Sequence, residues 1–149
     1  MKVQISTESN KYFTAYFDVD LCLIEVYWQE ESSDMTDDDY KELMGGVIQR
    51  MLDNNYLPLL RYQLLDNRSN LFTMSPELQE WQNEHVGKKV VEAIGDYPKT
   101  AFIQSEDFIT QLSFEQTMEE TDETSGLVRY FDNVIDAKSW LLGVADSTV

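Results

Sequence analysis

Apolar and polar positions alternate from Tyr12 to Val19: Phe13, Ala15, Phe17 and Val19 fall on one side, Tyr12, Thr14, Tyr16 and Asp18 on the other. That period of two is the signature of a β-strand. LCLIEVYW, Leu21 to Trp28, is a second and almost continuously apolar strand, and the short turn at Asp18 to Asp20 makes the two an antiparallel hairpin. The period then changes. From Thr36, which forms a capping box with Asp39, the residues Tyr40, Leu43, Met44, Val47, Ile48, Met51 and Leu52 recur at helical spacing and make one apolar stripe, ending at Asn54 and Asn55. Gly45 and Gly46 lower its helix propensity by ~1 kcal/mol each.

Leu59, Leu60, Tyr62, Leu64 and Leu65 form a short apolar run between Pro58 and the polar cluster Asp66 to Asn70, the pattern of a strand buried on both faces. It leads through a polar loop to Ser75, Pro76 and Glu77, a strong helix start: a hydroxyl for a free N–H, a pre-set φ and an acid at the positive end of the dipole. Leu78, Trp81, Val86, Val90, Val91 and Ile94 carry that helix on, with a kink expected at Gly87 and a cap at Gly95. Thr100 to Gln104 reads as a strand, Ser105 to Met118 as a helix with a second capping pattern at Ser113, and Leu127 to Phe131 as another strand. Asn133 and Asp136 start a last helix that Gly143 stops. The order predicts a single α/β domain over 1–149: a mixed five-stranded sheet, an N-terminal antiparallel hairpin plus parallel strands, with about four flanking helices. Residues 1–10 are expected to be a short extra strand or mobile, and 144–149 mobile.

Charge excludes partners more than it names them. Eleven Lys and Arg against 28 Asp and Glu give a formal charge of −17, which repels phosphate backbones and anionic lipid, so no nucleic acid is expected. No window approaches the ~18 consecutive apolar residues of a membrane span, so no membrane insertion is expected either. A solvated acidic shell accounts for the charge, and a basic protein is the partner it would suit. The single cysteine, Cys22, excludes an internal disulfide and reads as a small packed residue within its strand. MKVQISTESNK has no apolar core of signal-peptide length, which places the protein in the cytoplasm.

Four blocks carry a likeness: Asp66 to Ser69 (DNRS), Ser75 to Trp81 (SPELQEW), Gln111 to Gln116 (QLSFEQ) and Val128 to Trp140 (VRYFDNVIDAKSW). With the element order, they resemble the STAS-like family, more narrowly the bacterial proteins described as STAS domains similar to the CRAL-TRIO lipid-transfer fold. The likeness spans roughly residues 12 to 142. It implies a mixed sheet flanked by helices, and partner binding or regulation as in the anti-anti-sigma factors. In those regulators a serine opening the helix after the central strand is phosphorylated; the matching position is Ser75, a candidate phosphoacceptor. The chain departs from that pattern with Met74 in place of an acid before the serine and Pro76-Glu77 in place of the small pair after it. A phosphate at a helix N-terminus is locally favourable, but Glu77 and the overall charge oppose it.

His85 is the only histidine, so a triad or multi-histidine metal site would have to be built on it alone; a packed or surface histidine is the better reading. The six glycines are scattered and form no phosphate loop. Asp37 to Asp39 and Glu119 to Glu123 lack the spaced oxygens of a calcium loop and sit near helix ends, so no metal and no cofactor is expected. The best remaining site is the polar loop, where Asp66, Asn67, Arg68, Ser69 and Ser75 converge at one end of the sheet. Arg68 is either paired internally, with Asp66 or a nearby glutamate, or free to hold a small anion. The chain therefore reads as a non-enzymatic cytoplasmic binding or regulatory module, recognising a protein partner or small ligand near residues 66–75. The alternative, suggested by the CRAL-TRIO likeness and by aromatics such as Phe13, Tyr16, Phe72 and Trp81, is a carrier of a small apolar or lipid-like molecule. An apolar pocket of ~300 Å³ or more would favour the carrier and a solid core would remove it. Tyr27 and Trp28 are the candidates for a homodimer surface.

Overall fold

A computed structural model describes residues 1–104 and 127–143. Six strands form one mixed sheet in sequential order: β1 (Lys2–Gln4), β2 (Phe13–Asp18), β3 (Leu23–Trp28), β4 (Tyr62–Asp66), β5 (Lys99–Ile103) and β6 (Val128–Phe131). β1, β2 and β3 pair antiparallel; β3 to β6 are parallel. The expected hairpin is β2–β3, with Phe13 opposite Trp28 and Asp18 opposite Leu23. Its turn is held by the Asp18 carboxylate, which accepts from the N–H groups of Asp20 and Leu21 at 3.1 Å. Cys22 lies in this turn with φ of 57°, rather than within the strand.

Because side chains alternate across a sheet, each strand supplies two faces. On the first, Phe13, Ala15 and Phe17 of β2 and Ile24 and Val26 of β3 meet α1 (Asp37–Asp53) through Val47 and Met51. The same face receives a second rod, made of α2 (Pro76–Gln82), one π-helical turn (Asn83–Gly87) and α3 (Lys88–Ile94). On the second face Leu23, Leu64, Ala101 and Ile103 pack under α4 (Val134–Leu142) through Ala137 and Leu141. The caps stand where the side-chain chemistry puts them. Thr36 and Asp39 exchange the two bonds of a capping box, Ser75 accepts from Leu78 N–H, Asn133 accepts from Asp136 N–H, and Gly95 and Gly143 close their helices at φ of 81° and 68°.

The differences from expectation have local causes. Among the described residues there are six strands rather than five, because Lys2–Gln4 takes the first of the two courses expected for the N-terminus, a short extra strand, and pairs along β2. The described residues hold three helices rather than four, counting α2 to α3 as one rod; the helix expected over 105–118 and the tail 144–149 lie outside the described residues. The central strand starts at Tyr62 rather than Leu59, since Leu57–Leu59 form a 3₁₀ turn around Pro58 that buries Leu57 and leaves Leu59 41 % exposed. β4 is nevertheless interior, hydrogen-bonded on both sides to parallel strands. At Gly87, where a kink was expected, the helix passes through a π-helical turn, Asn83–Gly87, with the backbone in the right-handed helical region on either side. Trp28 is not a free surface residue, because its ring packs between Phe13 and Tyr40. No helix among the described residues is long and apolar enough to cross a membrane.

Candidate functional site

The predicted site residues separate into two groups. Asp66, the last residue of β4, turns its carboxylate to the second face, where Arg68 holds it bidentately: Nε donates to Oδ1 at 3.0 Å and Nη2 to Oδ2 at 2.7 Å. The Arg68 backbone N–H also donates to Oδ1, at 3.2 Å, closing the turn that makes this grip. Asp66 raises the guanidinium above its ordinary value. Of the two alternatives for Arg68, the structure has the internal pair. Asn67 extends the ladder by donating to the Ile103 carbonyl at 2.9 Å and accepts from Asn70 N–H at 3.1 Å, with Ser69 inside that turn. Ser75 belongs to the other group: its hydroxyl accepts from Leu78 N–H at 3.1 Å and donates to Asp37 Oδ2 at 2.9 Å, tying α2 to the start of α1.

The loop's second contribution is aromatic. Phe72 stacks on Tyr40 at 5.6 Å between ring centroids, Tyr40 lies parallel to Trp28 at 6.4 Å, and Trp81 meets Tyr40 edge-on at 6.2 Å. The Tyr40 hydroxyl donates to Gln82 Oε1 at 2.6 Å, and burial pushes its phenol well above the usual range. This cluster walls one side of a cavity of about 130 Å³ between the first face and the helices. Its floor is Ile24, Val26 and Trp28 of β3 with Gln63 and Leu65 of β4; its roof is Tyr40, Met44, Val47, Ile48 and Met51 of α1, and Val86 and Val90 close it beside Gln82. Gln82, Val86 and Val90 are spaced by four through the π-turn. In a regular α-helix eight residues drift ~80° around the axis, and the wider turn offsets part of that drift, keeping all three on the cavity.

The second face holds a different construction. Glu25 of β3 is fully buried, yet its carboxylate meets Lys2 Nζ from β1 at 3.2–3.3 Å, Lys138 Nζ from α4 at 3.4 Å and the Tyr27 hydroxyl, which donates to Oε1. Lys2 approaches Oε2 as an ion pair without a hydrogen-bonding angle, so that oxygen is paired by charge alone. Burial, then the Glu25 contact, hold the Tyr27 phenol above its ordinary value. The cluster ties both ends of the described chain, β1 and α4, to the centre of the sheet.

His85 is exposed, stacked on Trp81 at 5.0 Å, with its Nδ1 3.1 Å from the Trp81 carbonyl. Asp37 and Asp39 serve as Ser75 acceptor and helix cap, and among the described residues no group of three His, Cys, Asp or Glu is arranged to hold a metal. No family model, no curated protein and no solved structure matches the chain.

The residues that sequence reasoning passed over are Glu25, Tyr40, Gln63 and Gln82. Three left a signal. Glu25 is the one acid inside LCLIEVYW, and Gln63 interrupts RYQLL at a first-face position. Tyr40 opens the helical stripe and has a hydroxyl that burial obliges to find a partner. Gln82 sits where a π-turn begins, and no residue pattern announced that turn.

Proposed function

We propose that this protein is a non-enzymatic binding module of the STAS-like class, acting in the cytoplasm, whose ligand is a small, mostly apolar molecule held beneath the loop that follows β4. The observation that carries the reading is the cavity of about 130 Å³, walled by aromatics that Phe72 of the 66–75 loop braces from outside. The sequence likeness to STAS-like proteins supports it, since their best-known members bind rather than turn over substrate. The volume argues against a lipid-sized cargo, because pockets for drug-sized ligands begin at ~300 Å³. A protein partner at the same loop is the second reading, favoured by Leu71, which is 57 % exposed beside Phe72.

The test is thermal unfolding with and without toluene, benzene and hexadecanoate. A ligand at about a hundred times its Kd stabilises by ~2.7 kcal/mol, so the single-ring compounds are expected to raise Tm in a concentration-dependent way and the fatty acid to leave it unchanged. A Tm that no ring compound moves, or that only the fatty acid raises, overturns the reading.

A further inference from the structure

We infer that the cavity selects a neutral, single-ring aromatic molecule carrying one polar group whose oxygen accepts a hydrogen bond, as a phenol or a small aryl amide does; this rests on the ligand-binding reading above. Size comes first. About 130 Å³ is close to the ~150 Å³ of an apolar cavity known to stay dry and admit benzene, so one six-membered ring fits and a fused or long-chain skeleton does not.

The lining decides the rest. Among the described residues no Lys, Arg, His, Asp or Glu contributes to it, and burying an unpaired charge there would be prohibitive, so the ligand is neutral. Trp28 and Tyr40 offer ring faces or edges, while Met44 and Met51 bring thioethers that favour aromatic neighbours and adjust to shape. Two amides break the apolar surface, and each is already oriented by a bond on one side. Gln82 accepts from the Tyr40 hydroxyl at 2.6 Å through Oε1, which leaves its Nε2 as a donor; Gln63 donates from Nε2 to Thr100 Oγ1 at 3.2 Å, which leaves its Oε1 as an acceptor. The held donor of Gln82 matches the oxygen of a hydroxyl or an amide on the guest.

The experiment is titration of the full chain with benzene, phenol and benzoate, followed by NMR of the protein methyl groups. Phenol is expected to bind about fivefold more tightly than benzene, the gain of one net hydrogen bond, and benzoate to give no saturable shift. In Gln82→Leu the ratio of phenol to benzene affinity is expected to fall to about one. Equal affinity for phenol and benzene in the unmodified protein overturns the selectivity while leaving a binding cavity in place, and needs no variant. Saturable binding of benzoate overturns the neutral-ligand rule. If none of the three binds, this inference and the broader ligand reading both fall.

Discussion

Across the same strands, the first face packs apolar side chains against two helical rods and leaves about 130 Å³ unfilled, whereas the second face, under α4 among the described residues, clusters Ala101 with Ala137 and neutralises a buried carboxylate with two lysines. The difference follows from directionality. Apolar contact is non-directional, so a helix can rest on large side chains at several heights and leave space between them. A buried charge has one set of workable distances, and the elements that bring its partners must sit where those distances put them. The face that can receive a guest is the one held together mainly by apolar contact, with the Tyr40–Gln82 and Gln63–Thr100 bonds as its polar ties.

The comparison breaks most readily at Glu25. Glu25→Ala leaves the Tyr27 hydroxyl without its acceptor and Lys2 and Lys138, 39 % and 31 % exposed, without their partner, and is expected to cost about 1–3 kcal/mol in urea unfolding. A loss under 1 kcal/mol would mean that the second face does not depend on its carboxylate. Next come two small-to-large changes of opposite expectation. Ala101→Val overfills the tight face and should cost about 1–3 kcal/mol. Val47→Leu adds a methylene toward the cavity and should be neutral or stabilising by up to ~0.8 kcal/mol, while weakening benzene binding. Equal costs for the two would erase the contrast between the faces.

Smaller effects sharpen the picture. Ser75→Ala removes a cap and the bond to Asp37, an expected loss of about 1 kcal/mol by thermal unfolding, with no effect on the methyl groups of the second face. The phenols of Tyr27 and Tyr40 are both raised, Tyr27 by burial and Glu25 and Tyr40 by burial. The folded protein therefore keeps protons that the unfolded chain releases near pH 10. Their contribution to stability is complete below that value and is lost as pH rises beyond it. Phenolate absorbance should accordingly show these two tyrosines titrating only with unfolding; early titration of both would contradict their burial.

Most of the architecture was legible because its determinants are local. Thr36 with Asp39, Ser75 with Pro76, and Asn133 with Asp136 name helix starts through side-chain chemistry alone, and the alternation in β2 names a strand through its period. β1 was half legible: its three residues become a strand by pairing along β2, a non-local cause. Of the candidate site, the Asp66–Arg68 pair was foreseen as one of two alternatives because the residues are two apart. Ser75 was placed with them on loop proximity, yet it bonds Asp37, 38 positions away in sequence. The cavity was not legible, since it is the space left where α1, β3, β4 and the π-turn fail to meet. No run of residues encodes the shape of a gap.

The most direct test of that gap is a benzene titration read at methyl groups on both faces at once. The account predicts saturable shifts at Val47, Met51 and Val90, which belong to the first face, with Leu64, Ala101 and Leu141 of the second unmoved. Shifts confined to the second set, shifts of equal size on both, or none at saturation would contradict it.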